Sequence, residues 1–211
     1  MTQSHAYSSD VAFSASVKEA QSRKGSRRAY ARMEEAGSWD THIPPDLAEF
    51  IAAQRSVFLA TSSRDGQPYV QHRGGPPGFI HVLDDQTLAF ADFAGNRQYI
   101  TTGNLAENPK AQLFLVDYGA RRRVKIWGEA RVVEGDEALR AKLMPTHYRA
   151  KADQVIVFSV NAWDSNCPQH IPRRFEEEEV RALLSERDAR IAALESEIAA
   201  LKAGSGPVRG E

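Results

Sequence analysis

VFLATSSRDGQPYVQHRG, residues 57–74, reads as two short strands joined by a tight turn. Val57–Ser62 and Pro68–Arg73 are rich in β-branched and aromatic residues. Between them Arg64-Asp65-Gly66 supplies turn chemistry, because glycine has no Cβ and tolerates a positive φ. The pattern recurs downstream. Phe79–Leu83 and Thr87–Asp92 flank Asp84-Asp85, and Ala111–Asp117 and Arg123–Val133 flank Tyr118-Gly119-Ala120. Val155–Trp163 adds a strand after a helix at about Asp136–Met144. Around seven short strands joined by hairpins predict a mainly β fold with flanking helices, a small barrel or sandwich rather than a parallel α/β sheet. Closure into a barrel would also remove exposed strand edges.

On the N-terminal side, residues 1–44 mix small, polar and charged residues and read as an arm, with GSRRAYARMEEAG predicting a short helix that stops near Gly37. Pro45–Gln54 predicts a second helix. Pro45 and Asp46 suit its first turn, and Leu47, Phe50 and Ile51 recur at helical spacing. On the C-terminal side the central domain, residues 45–175, gives way to an amphipathic helix over 176–203 and a tail over 204–211. Val180, Leu184, Arg187, Ile191, Leu194, Ile198 and Leu201 alternate spacings of four and three, a coiled-coil seam interrupted once by Arg187. Two partners are open for this stripe: the chain's own domain, or the same helix of a second copy in a parallel dimer. The acidic run Glu176–Glu179 suits the first turn of such a helix, where negative charge favours the dipole.

Composition excludes several classes of function. Twenty-seven basic and 28 acidic residues give a net charge of −1, which provides no overall field for nucleic acid. No apolar run approaches the ~18 residues needed to span a bilayer. The first residues lack a basic start followed by an apolar block, so a cytoplasmic location is expected. The single cysteine, Cys167, excludes an internal disulfide and a cysteine-built zinc site, and reads as a loop thiol. His72 and His81 read as packed or hydrogen-bonded strand residues, and no metal-ligating triad stands out.

The segment FADFAGNRQY, residues 90–99, running on to Gly103-Asn104-Leu105-Ala106-Glu107-Asn108-Pro109, carries the chemistry. A strand ends at about Asp92, Gly95 turns the chain, and Asn96 is suited to cap a helix beginning at Arg97. A helix start offers unpaired N–H groups and Arg97 adds a bidentate donor, so the segment predicts an anion site. In Arg123-Val124-Lys125-Ile126-Trp127, alternation places Arg123, Lys125 and Trp127 on one face and two apolar residues on the other.

Over roughly residues 45–175 these elements resemble the pyridoxamine 5′-phosphate oxidase superfamily, in particular its FMN-binding members. The residues that carry the resemblance are the strand Pro68–Gly74, Asn96-Arg97-Gln98 with Asn104–Pro109, the strand Arg123–Gly128, and Trp163 followed by Arg173. It implies an FMN-binding split β-barrel and a homodimer with flavin sites at the interface. Gln71, His72, Arg73 and Gly74 match the strand beside the flavin ring and ribityl chain, and Ala91 and Asp92 the strand end below it. Arg97 and Gln98 match the pair that grips the phosphate, with Gln98 where the oxidases carry lysine. Arg123, with Lys125 beside it, matches a residue supplied from the second subunit. Trp163 and Arg173 match a late tryptophan and arginine that approach the same flavin.

The departures concern the substrate. Gln71 and Pro76 stand where the oxidases carry a basic residue and a lysine, and Gln169 and Ile171 where they place an arginine and a histidine. Without those cations, tight binding of phosphorylated pyridoxamine is not expected. The resemblance therefore implies an FMN-dependent oxidoreductase with a different substrate. The alternatives are a non-catalytic flavin-binding or sensing module, or a deazaflavin- or haem-binding relative on the same fold.

Overall fold

The computed structural model describes residues 6–166 and 168–204; Cys167 lies outside them. They fall into two compact units, one within Met1–Asp117 and Arg122–His170, the other within Tyr118–Arg121 and Ile171–Glu211.

In the first unit, β1 (Ser56–Ser62), β2 (Pro68–Gly74), β3 (Ile80–Asp84), β4 (Thr87–Phe93), β5 (Lys110–Asp117), β6 (Arg122–Val133) and β7 (Ala152–Asn166) form one antiparallel sheet in the order β2-β1-β5-β6-β7-β4-β3. The expected strands are all present, each within a residue or three of its sequence bounds. The β1–β2 turn carries Gly66 at φ 87°. Val57 and Leu59, Ile80, Leu88 and Phe90, Leu113, Val124 and Ile126, and Ile156 and Phe158 meet in one buried core. Side chains from six strands of a seven-strand sheet converge this way when the sheet curls on itself, as in a small barrel. β2 contributes nothing to that core among the described residues; the more sheltered side chains of β2 are polar, Tyr69, Gln71 and Arg73.

Helix α3 (Pro45–Ala53) plugs the core with Leu47, Phe50 and Ile51, all buried, and Pro45 occupies the first turn, where its missing N–H costs nothing. The backbone N–H groups of Gly75 and Gly78 donate to the carbonyls of Arg55 and Ala52, tying the β2–β3 loop to the end of this helix. α4 (Ile100–Glu107) follows β4, and α5 (Glu137–Leu143), capped by Asp136, packs Leu143 against Ala89, Ala91, Val155 and Val157 on the second face of β4 and β7. No helix among the described residues is long and apolar enough to cross a membrane.

The N-terminal segment holds more structure than its sequence suggested: a 3-10 turn (Ser8–Val11), α1 (Ala15–Arg23) and α2 (Arg27–Glu35). Only α2 was legible, because α1 offers Val17 alone among large apolar residues. Buried Glu34 receives Arg27 and Lys18, and Lys18 meets Asp10 at 2.5 Å. The hydrogen bond to Asp10 raises the Lys18 ammonium above its ordinary value, whereas burial pushes Asp10 up but is outweighed by Lys18 and the Tyr7 N–H, which leave its carboxyl lowered. Trp39 stacks on Trp127 at 4.7 Å with Phe13 edge-on to it.

In the second unit, Arg121 donates from Nε to the Ile171 carbonyl and the Arg174 guanidinium lies 4.3 Å from the Tyr118 ring centre. α6 (Glu177–Gly204) follows.

Gly128 sits where the β6–β7 register shifts, and a Cβ there would lie 1.9 Å from the Ser159 carbonyl oxygen. Gly128→Ala is therefore expected to lower unfolding free energy by at least ~1–3 kcal/mol, the cost of overpacking a rigid backbone contact. Urea denaturation checks this, and an unchanged midpoint would contradict it.

Candidate functional site

Arg73 and Asp92 come from strands that share no backbone hydrogen bonds, β2 at one end of the sheet and β4 next to the other. Their side chains nevertheless meet, Arg73 Nε lying 2.6 Å from Asp92 Oδ1. The contact is an off-axis ion pair rather than an aligned hydrogen bond, and both side chains are largely buried. Arg73 Nη2 also donates to Thr101 Oγ1, while Gln154 Nε2 donates to Asp92 Oδ2 and to Thr102 Oγ1 at 2.9 and 3.0 Å. Four elements, β2, β4, α4 and β7, are thus joined by one polar network under a cleft of about 190 Å³.

The cleft gathers Gln71, His72, Arg73, Gly74, Ala91, Asp92, Asn96, Arg97 and Gln98, nine residues expected at one site from sequence. Tyr69 donates to Gln71 Oε1, orienting that amide. His72 bonds Ser56 Oγ through Nε2 and lies edge-on to Phe58, an anchored strand histidine. Among the described residues no cluster of three potential metal ligands occurs. The sequence reading missed Tyr69, Thr101, Thr102 and Gln154. A glutamine at the start of an otherwise apolar strand, Gln154 before Val155-Ile156-Val157-Phe158, was the one available signal.

The helix does not begin at Arg97. α4 starts at Ile100, and Arg97 and Tyr99 hold left-handed conformations at φ 58° and 53°, which a helix cannot include. Asn96 Oδ1 accepts the Gln98 N–H two residues on, so it caps a turn rather than the helix. Residues 95–99 form an exposed loop at the mouth of the cleft. Arg97 forms no ion pair among the described residues, whereas Arg73 is matched by Asp92. Arg97 is thus the arginine of the cleft without an ion partner among the described residues, and Asp153, also on the cleft wall, is an acid without one.

Arg123, Lys125 and Trp163 do not line this cleft. Lys125 pairs with Asp164 at 3.6 Å and lies 5.4 Å from the Trp127 ring centre. Arg123 on the same face has no ion partner among the described residues. This outer face continues through Phe58 and Phe114, paired across β1 and β5, which are only half-buried. Trp163 packs against the core, and its indole N–H donates to the His42 carbonyl at 2.8 Å. Arg173 belongs to the second unit. A wider groove of about 1,090 Å³ lies between the N-terminal segment and the outer face of the sheet, but Asp10 and Lys18 on its wall are already paired with each other.

Residues 43–167 match the model of the pyridoxamine 5′-phosphate oxidase family, and the chain belongs to that family. The fold is its split β-barrel. No curated protein sequence matches the chain. Among solved structures, HupZ of Group A Streptococcus is 16% identical, over 63% of this chain and 99% of that one, with a TM-score of 0.47. An FMN-binding protein from Syntrophomonas wolfei is 14% identical over 71% and 96%, TM-score 0.44. HutZ, the haem storage protein from Vibrio cholerae, is 16% identical over 56% and 89%, TM-score 0.38. At these levels of identity and overlap none assigns a ligand to this chain.

Removing the carboxylate beneath the cleft strands Arg73. Asp92→Ala is expected to cost ~2–4 kcal/mol, below the full penalty for a wholly buried pair because both groups keep some exposure. Arg73→Met in the Asp92→Leu background is expected to recover much of it. Guanidinium unfolding of the single and double variants measures the coupling, and additive losses would contradict it.

Proposed function

We propose that the chain is an FMN-dependent oxidoreductase working as a homodimer, on a substrate other than pyridoxamine phosphate. The observation that carries this reading is the cleft between β2 and the 95–99 loop, where Arg97 is the arginine without an ion partner among the described residues. Its donor set fits the group: a guanidinium and an exposed N–H-rich loop for a phosphate, the Thr101 and Thr102 hydroxyls deeper in, and the amide of Gln71 beside them.

At about 190 Å³ the cleft is smaller than the ~300–1,000 Å³ usual for ligand sites, so one chain offers only part of the wall an FMN molecule requires. A second copy presenting its half-buried outer face, with Phe58, Phe114 and Arg123, supplies the remainder in this reading. Between the two basic candidates on that face Arg123 is favoured, because Lys125 is held by Asp164. A guanidinium set against the bound group favours negative charge on it, and the aromatic side chains exclude water. FMN, when bound, supplies the hydride and electron transfer.

The case for a different substrate rests on charge. Gln71 lines the cleft where a cation would be needed, and Asp92 neutralises the arginine that is present. A second phosphate would have no dedicated cation.

Purified protein is expected to retain a flavin absorption spectrum after loading with FMN and removal of the excess. Arg97→Ala is expected to weaken FMN by roughly ten- to a hundredfold, the loss of a charge-assisted contact of ~1.5–3 kcal/mol. A protein that cannot be loaded, or one that shows a haem spectrum, would overturn the cofactor; unchanged affinity in Arg97→Ala would place the phosphate elsewhere.

A further inference from the structure

Along α6 the large apolar side chains lie open. Val180, Leu184, Ile191, Leu194, Ile198 and Leu201 are 38–66% exposed. Their spacing puts Leu184, Ile191 and Ile198 at the first core position of successive heptads, and Val180, Arg187, Leu194 and Leu201 at the fourth. Isoleucine at the first position with leucine at the fourth favours two strands.

The flanking charges choose the direction. In this frame Arg181, Asp188, Glu195 and Lys202 occupy one flank, and Arg190 and Glu197 the other. In a parallel pair each flank residue meets the opposite flank of the second copy five residues on. Arg190 then faces Glu195, and Glu197 faces Lys202, each twice by symmetry. No like charges oppose on the flanks; the one like-charge meeting is in the seam itself, Arg187 against Arg187 of the second copy. The antiparallel alignment that keeps the whole seam in contact sets Leu184 against Leu201 of the second copy. There Asp188 opposes Glu195 and Arg181 opposes Lys202, while Arg190 with Glu197 is the only attractive combination. Among the described residues, Arg190, Glu195, Glu197 and Lys202 form no ion pair within their own chain, so all four are available. Arg187 interrupts the seam but stands next to the Asp188 flank of the parallel partner, and a single charged core position pins the register.

We propose that α6 pairs with α6 of a second copy as a parallel, in-register, two-stranded coiled coil. At 28 residues the helix is about 42 Å long, short for a stable coiled coil alone. Linkage to a domain that itself associates would raise the effective concentration of the helices. The inference does not depend on the flavin reading, since it uses only residues of α6.

Cysteine cross-linking of the full-length chain tests it, in a Cys167→Ala background. Leu184→Cys and Leu201→Cys are placed on chains of different tag length, about 25 Å apart along the helix. The parallel pairing predicts that under mild oxidation each variant cross-links to itself and that a mixture gives no mixed product. Mixed product alone would mean an antiparallel pair, and no cross-link in variants of unaltered circular dichroism would mean that the helix does not pair; either overturns the proposal. Glu195→Arg is expected to weaken association roughly threefold or more, and Arg190→Glu added to it to restore association. No change in the first, or no rescue by the second, would remove the charge argument.

Discussion

The ion pair between Arg73 and Asp92 closes what the backbone leaves open. Hydrogen bonding orders the strands from β2 to β3, and nothing in that ladder requires the β2 end to approach β4. Curling the sheet buries apolar side chains of six strands in one core, a term proportional to area and blind to detail. What remains is a seam at β2, whose sheltered residues are polar. A carboxylate and a guanidinium brought together there satisfy each other, and the amide of Gln154 and two threonine hydroxyls complete the set. The seam becomes a cleft with a fixed polar floor.

That floor governs what the cleft can hold. Because Arg73 is neutralised from below, Arg97 on an exposed loop is the arginine of the cleft without an ion partner among the described residues, and Asp153 is an acid on the same wall. The outer face of the same sheet carries half-buried aromatic side chains, an arginine without an ion partner among the described residues, and a lysine held by Asp164. In the proposed homodimer the cleft and the outer face are the two halves of one ligand site, carried on different faces of each copy. Association of two copies would bring them together.

The strands were legible because alternation and turn residues are local. Arg64-Asp65-Gly66 marks a turn wherever the rest of the chain goes, and Gly66 adopts the positive φ that this requires. Nine of the residues expected at one site line one cleft, because they cluster at the ends of two strands and the loop after the second. Asn96 misled, since a residue that caps helices also closes a two-residue turn, and only the left-handed Arg97 and Tyr99 separate the cases. Thr101, Thr102 and Gln154 were hidden for another reason: their roles come from contacts across 28 to 62 residues of chain, which no local pattern records. Trp163 donates its indole N–H to the His42 carbonyl at the edge of the core, a contact 121 residues apart in the chain that no local pattern records.

The most direct test of a site shared between copies is complementation. Chains carrying Arg97→Ala and chains carrying Arg123→Ala are each expected to bind FMN poorly. Co-expressed, they form mixed dimers in which one site holds both defects and the other neither, so random pairing restores tight binding at about a quarter of all sites. Flavin titration showing that recovered fraction would support the account. Failure to recover any tight binding, with both variants folded and dimeric, would contradict it and place both arginines at the site of a single chain.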